Sequence, residues 1–495
     1  MTIVNECDIY YNNYITAYEF EKGGEVLFGS VHLYFVIGYL LLLVVVGLIL
    51  AKREVKTSDD FVVAGRKLPL FVLIGTLLAT WIGSGTITGA ANFIYTRGPL
   101  AGILYFIGAP LGIVILYFIA NKVRDLAKYT IPQILETKYG SLARTISSIC
   151  IILAYVGIIS YQFKGGGYVL NLTTGMELET GVLVSAVVII LLAVTGGMVT
   201  IAYSDFISAL LIVTAMGIGL PFVLSNVGGW SSLFDALPKE KTTWSGGLSG
   251  MQLLGYILPL IFLLLGDQNM FQRFGSAKDA ATARKSNIGF LLGELVIMFL
   301  TITFASAAIL LFPEIKADTA ILQVAMGGVP VVVGGFILAA AVAFMVTTGD
   351  SFLLSAATNV TYDLWLRYVK PDASEEEKLK YTRIFIVVLG ILAYVIGQYF
   401  PSILAMQMYS YTMYGAAITP AFLGALLWKR ASKFAGLASI LVGGGMTLIW
   451  EIVLHKPMGW NAILISAPLS ILALVVFSYL VPNKSNSKEK VKEIV

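Results

Sequence analysis

Residues 79 to 89 read Ala79-Thr80-Trp81-Ile82-Gly83-Ser84-Gly85-Thr86-Ile87-Thr88-Gly89, and they stand in the middle of an apolar run long enough to cross a membrane. Gly83, Gly85 and Gly89 weaken a helix at the depth where lipid offers no water to the freed backbone. A break there has to line a cavity, where carbonyls and half-helix ends become available to ions and solutes. Close helix packing is a second use of the same glycines, since Gly85-xxx-Gly89 fits a small-xxx-small face, and a packed broken helix needs both.

The rest of the chain has the composition such a run requires. Of 495 residues, 58% are hydrophobic and only 13% charged, with a mean hydropathy of +0.85. Soluble domains have about 25% charged and 45–50% apolar residues. A soluble globular enzyme is excluded, and the bilayer is the solvent. The fold class expected is an all-α polytopic membrane protein of about 13 helices at roughly 20 residues per span. Apolar runs bounded by charges, Pro and Gly set the spans at Val31 to Ala51, Leu70 to Tyr95, Gly102 to Ala120, Ile146 to Leu170, Gly181 to Val199, Phe206 to Leu224, Met251 to Gln268, Ile288 to Phe312, Val329 to Val360, Ile384 to Phe400, Ile403 to Trp428, Phe434 to Leu454 and Ala462 to Val481. The organisation expected is an outer N-terminal segment (1–29), a transporter domain (30–482) and an inner tail (483–495). Cys7 and Cys150 give no disulfide framework, His32 and His455 no zinc motif, and residues 1–29 lack the pattern of a cleaved signal, so span 1 serves as its own insertion signal.

The 33 basic residues test this count. Those after the odd-numbered spans and in the tail run from Lys52, Arg53 and Lys56 through Lys122, Arg124, Arg144, Arg273, Arg284, Arg367, Lys380 and Lys429 to Lys492. The opposite side has only Lys22, Arg97, Lys239, Lys241, Lys316 and Lys456. By the positive-inside rule the N-terminus lies outside and the C-terminus inside, and an odd number of spans is required. Lys164, in Tyr161-Gln162-Phe163-Lys164, falls on neither side. It faces a cavity or partner, or it snorkels to the outer interface.

Acidic residues within spans are few: Asp205, Asp267, Glu294 and Asp350. In span 9, Thr347, Asp350 and Ser351 stand at i, i+3 and i+4 with Thr348 beside them, which gathers oxygen ligands suited to a hard cation. Hydroxyls bonded back to their own helix are the plain alternative. Span 7 ends in Gly266-Asp267-Gln268-Asn269, too polar for lipid, and five spans separate it from the break in span 2. Two interrupted spans at matching places point to an inverted-repeat transporter, with repeats of about 70–225 and 251–428.

Several segments match one family. Phe61-Val62-Val63-Ala64-Gly65-Arg66, Ala79 to Gly85, Gly196-Gly197-Met198 leading to Ala202-Tyr203-Ser204-Asp205, Gln272-Arg273, Thr347 to Ser351 and Trp428-Lys429-Arg430 occur in its order over about residues 55 to 435. The chain resembles the sodium/solute symporter family, whose members carry sugars, proline, pantothenate, iodide, choline and sialic acid on the LeuT-type fold of five-plus-five inverted repeats with discontinuous helices. The resemblance implies a main Na+ site with backbone carbonyls of Thr80, Gly83 and Phe344 and hydroxyls of Thr347 and Thr348. It also implies, for some members, a second Na+ site, here at Asp205, Asp350 and Ser351.

For the solute, the candidates are Trp81, Ser84, Lys164, Asp267 and Gln268. Trp81 matches an aromatic position of the choline carriers, but the partner tryptophan of span 7 falls at about Asp267, so the aromatic box is incomplete, and a sugar-binding pattern is not evident. Lys164 and Asp267 could bracket a small zwitterion or pair with each other. The function expected is Na+-coupled uptake of an amino-acid-like, zwitterionic or carboxylate solute by alternating access, with Na+ as the coupling ion and no cofactor. A proton-coupled carrier, or one for a sugar or quaternary amine, is the alternative. A channel would need a continuous polar stripe, and a membrane enzyme a nucleophile with a base; neither pattern appears. The expected setting is the cell membrane, as a monomer in the lipid bilayer, with no nucleic acid partner.

Overall fold

The computed structural model describes residues 31–54, 57–126 and 128–483. The expected outer segment (1–29) and all of the tail (483–495) but its first residue lie outside the described residues. Ten helices are long and apolar enough to cross a membrane: Pro99–Arg124, Ser141–Thr174, Leu178–Thr195, Met198–Asn226, Gly250–Ser276, Ala280–Leu311, Val331–Tyr368, Glu375–Gly397, Lys433–Val453 and Ile463–Leu480. An eleventh is the pair Leu70–Trp81 and Gly85–Arg97, bent by 52° at its break. With Val31–Glu54 and the consecutive helices Ile403–Ala417 and Thr419–Leu427, these follow the thirteen expected spans in order, and they are numbered accordingly.

Local chemistry sets the boundaries. Span 2 starts after Pro69 and stops where Ile82 turns extended (φ −89°, ψ 107°). Span 7 opens on a capping box between Ser249 and Gln252, and Asp267 at its break caps the second half by accepting from the Asn269 amide. Span 10 opens on a second box, Ser374 with Glu377, and three glutamates in its first turn complement the helix dipole.

The enclosure of each span follows its position. Span 9 is the most buried and packs against spans 1, 4 and 6, whereas span 10 is the least buried. Large apolar side chains such as Phe71, Phe118 and Leu292 face outward, as a lipid-solvated surface requires. The two interrupted spans are tied at one end of the molecule by a short parallel bridge. The Leu68 amide donates to the Ser276 carbonyl at 2.9 Å, and the Lys278 amide to the Leu68 carbonyl at 3.2 Å.

Candidate functional site

The break in span 2 faces the hydroxyl pair of span 9. Ile82 N donates to Leu78 O, so the carbonyls that follow Leu78 have lost their helical partners. Those of Ala79 and Ile82, three residues apart, share the face turned to span 9. The Thr348 hydroxyl lies 3.0 Å from the first and 3.1 Å from the second. These contacts fall one residue before each of the expected carbonyls, Thr80 and Gly83. Gly83 O is taken by the Thr86 and Ile87 amides of the next half-helix, and Thr80 O lies one residue off the Ala79/Ile82 register. Phe344, Thr347 and Thr348 share one buried face of span 9, and Thr347 Oγ1 has no hydrogen-bond partner among the described residues. Two carbonyls and two hydroxyls, one orphaned, form a set suited to Na+.

Beside it lies a charged cluster. Arg273 is completely buried: its Nη2 donates to Asp205 Oδ2 at 3.1 Å and to Ser351 Oγ at 2.8 Å, and its Nε to Thr76 Oγ1 at 2.9 Å. Thr76 in turn donates to Asp205. Thr347 Oγ1 lies against Asp205 without hydrogen-bond geometry, which links the cluster to the hydroxyl pair. Two of the three residues expected for a second Na+ site, Asp205 and Ser351, are thus bound to a guanidinium. The third, Asp350, is buried, and Ser351 Oγ is 3.5 Å from its carboxylate. Arg273 had been counted with the inner-loop cations. It is not there because the second half of span 7, Gln268–Ser276, stays inside the protein, with every residue buried.

Around the break, buried side chains from several spans pack together. Gln162 of span 4 accepts from the Ser84 amide at 2.8 Å and leaves its Nε2 unpartnered. Trp81 stacks on Tyr411 of span 11, ring centroids 5.9 Å apart at 28°, and the Tyr161 hydroxyl donates to that of Tyr411 at 3.4 Å. Gly83 and Gly85 are required by this packing. A Cβ on Gly83 would lie 2.8 Å from Gln162 Oε1, and one on Gly85 2.7 Å from Gln407 Nε2.

The packing at the break brings Trp81 and Ser84 together, but not the whole expected solute set. Lys164 Nζ donates to Phe400 O at 2.9 Å and is half-buried near Asp318. Asp267 instead accepts from Tyr155 and caps its own half-helix, so the two do not bracket a common point by direct contact. Gln268 lies apart from them, accepting from Ile131 N at 3.0 Å and donating to Ser355 O at 3.3 Å. Sequence reasoning passed over Gln162, Gln407 and Tyr411, although the polar run around Gln162 carried a signal.

Polar contacts tie the spans together at both ends. At one, Asp318 on the turn before Ala320–Gly327 accepts from Asn92 of span 2 at 2.9 Å and from Ile403 N of span 11 at 3.4 Å. Burial raises its carboxyl above the ordinary value. At the other, Arg144 joins Glu136 at 2.6 Å and Asp363 at 2.7 Å, and Arg367 joins Glu136 at 2.6 Å. Partial burial pushes the Glu136 carboxyl up, but the two arginines outweigh it and hold the group below its usual range.

Known proteins resemble the chain over nearly this whole architecture. Residues 61–443 match the model of the sodium:solute symporter family. The high-affinity proline transporter PutP of Bacillus subtilis is 24% identical over 81% of the chain and 88% of its own length. The sodium/proline symporter of Escherichia coli is 22% identical over 91% and 93%. Among solved structures, a substrate-bound, outward-open Na+-coupled sialic acid symporter superposes with a TM-score of 0.79 at 19% identity, covering 92% of the chain and 98% of its own. The transporter Mhp1 of the nucleobase-cation-symport-1 family, in a closed conformation, gives 0.56 at 13% identity, covering 88% and 98%. The arrangement of spans is therefore the LeuT-type fold.

Proposed function

The chain belongs to the sodium:solute symporter family and is a multi-pass membrane carrier coupling a small solute to Na+, and we propose that its solute is amino-acid-like and its Na+ seat the pocket between spans 2 and 9. The observation that carries the seat is the Thr348 hydroxyl held against the Ala79 and Ile82 carbonyls at 3.0 and 3.1 Å, beside the orphaned Thr347 Oγ1. In this geometry the hydroxyls stand in for an ion between the same oxygens. An entering Na+ would draw on all of them and on Phe344 O, and would fix the angle at the break. The ordered break then holds Ser84 against Gln162 and Trp81 against Tyr411, so Na+ raises solute affinity by a coupling free energy and the solute raises Na+ affinity equally.

Two relatives named for proline support an amino-acid-like solute. The unpartnered Gln162 Nε2 beside the break supplies a donor for a carboxylate. The second site at Asp205, Asp350 and Ser351 is replaced in this reading by Arg273, which already brings a positive charge there. We further propose a monomer in the cell membrane with the N-terminus outside, since the expected inner cations Arg124, Lys138 and Arg144 gather with Arg367 and Lys429 at one end, and Arg97 and Lys241 at the other.

The test is uptake of L-proline and other amino acids into proteoliposomes with Na+ outside, against choline or K+. Uptake should require Na+. Thr347→Ala and Thr348→Ala should each raise the half-saturating Na+ concentration roughly 10- to 100-fold, the loss of one ligand to a charged group, while Thr→Ser at either position keeps the hydroxyl and most of the affinity. Uptake indifferent to Na+ would refute the coupling, and unchanged Na+ dependence in both alanine variants would refute the seat.

A further inference from the structure

One buried carboxylate remains without a task. Glu294 lies in span 8 (Ala280–Leu311), which packs against both halves of the interrupted span 2. It is fully buried, and neither carboxylate oxygen has a hydrogen-bond partner among the described residues. Asp350 lies in the charged cluster beside Ser351, and the remaining buried acids are used. Asp205 pairs with Arg273, Asp363 with Arg144, Asp267 caps a helix and accepts from Tyr155, and Asp318 accepts from Asn92. An unpaired carboxylate in an apolar interior costs several kcal/mol, and the span would be more stable with an apolar residue there.

The surroundings show what would satisfy it. The Trp81 indole lies beside the carboxyl without completing a hydrogen bond. Trp81 in turn stacks on Tyr411, and the buried Tyr105 hydroxyl has no partner among the described residues. A carboxylate bordered by aromatic rings is a receptor for an organic cation, whose N–H groups reach the oxygens while its charge lies near the ring faces. Arg273 and Lys164 are committed elsewhere, to Asp205 and to the Phe400 carbonyl.

We propose that Glu294 receives the protonated amine of the transported solute, so that the carrier selects amine-bearing solutes over otherwise equal hydroxy acids. This rests on the symport reading and adds to it a solute class and a receptor. The proposed Na+ seat uses the Ala79 and Ile82 carbonyls and the span 9 hydroxyls, whereas the amine would meet the carboxylate of span 8, so ion and amine are held by separate groups.

The experiment is thermal stabilisation of the purified full chain in detergent, with saturating Na+, by the standard L-amino acids and their 2-hydroxy-acid counterparts, with tetrahydrofuran-2-carboxylate as the counterpart of proline. At least one amino acid should stabilise the wild type and its amine-free counterpart should bind at least tenfold more weakly. Glu294→Gln, neutral and of equal size, should weaken the amino acid roughly 10- to 100-fold, the loss of a charged hydrogen bond, while Na+ alone still stabilises it, which shows that it is folded. Glu294→Asp should recover part of the binding. Equal binding of both members of a pair, unchanged binding by Glu294→Gln, or no binding by any amino acid overturns the proposal. So does Na+-free uptake driven by a pH gradient and lost in Glu294→Gln, which would make the group a proton carrier. Na+-dependent uptake of an amine-free solute would overturn the amine assignment alone. Na+ without effect on stability or uptake in the wild type would overturn the symport reading itself.

Discussion

Arg273 exposes no surface, and its guanidinium connects three helices: span 2 through Thr76, span 6 through Asp205 and span 9 through Ser351. Three donors in a rigid fork suit this better than one ammonium would. Arg273→Met should therefore lower the unfolding free energy by about 3–5 kcal/mol, the cost of leaving a buried carboxylate unpaired. Adding Asp205→Asn should recover part of that loss. Both are read by thermal unfolding in detergent, and additive effects of the two changes would show that the pair does not act as a unit. Nothing in the sequence around Gln272-Arg273 announces this role. The residue follows an apolar run and reads as an interfacial charge, because a period of hydrophobicity records where a helix meets lipid and not which long side chain turns inward.

At the scale of the element, span 2 shows what was legible and what was not. The glycines of residues 83 to 89 predict the interruption, and the helix does break there, by 52°. The register of the exposed carbonyls was not readable, since it depends on which amides the second half-helix recruits. Thr86 and Ile87 take Gly83 O, and the Thr348 hydroxyl meets the carbonyls one residue earlier, at Ala79 and Ile82. The shared face of Thr347, Asp350 and Ser351 in span 9 was legible because i, i+3 and i+4 residues lie together whatever surrounds them. The polar groups of spans 4 and 11 were not, because a single Gln162 or Gln407 in an apolar run does not reveal its partner. Gly83→Ala tests the element as a unit. The added Cβ would come within 2.8 Å of Gln162 Oε1 and 2.9 Å of Thr348 Oγ1, touching the groups proposed for solute and for ion together. The apparent affinities for Na+ and for solute should fall jointly, by tenfold or more, in uptake titrations, whereas Gly217→Ala, with open space around its Cβ, should change neither. A fall in one affinity alone would separate the two sites.

Over the whole molecule, charge balance bears on how much the carrier can concentrate its solute. The ion-binding region holds two carboxylates, Asp205 and Asp350, and one permanent cation, Arg273, so its own charge is −1 with both acids ionised. One Na+ at the neighbouring seat brings the region to neutrality, and a second would leave +1 in a medium that solvates it poorly. Asp318 and Lys164 lie apart from this region, and Glu294 is offset by the ammonium proposed to meet it, so none of the three enters this sum. A solute with one ammonium and one carboxylate is neutral, so each cycle should move one positive charge inward. A potential of 100 mV then supplies about 2.3 kcal/mol, a ceiling of roughly 50-fold accumulation with equal Na+ on both sides. Two ions would raise that ceiling above a thousandfold at the same potential. Proteoliposomes held at a set potential distinguish these values without needing the absolute rate. The expected result is one Na+ and one charge per solute, with accumulation near the lower ceiling. Accumulation well above it would mean that a second Na+ binds beside Arg273, and that the guanidinium leaves Asp205 when it does.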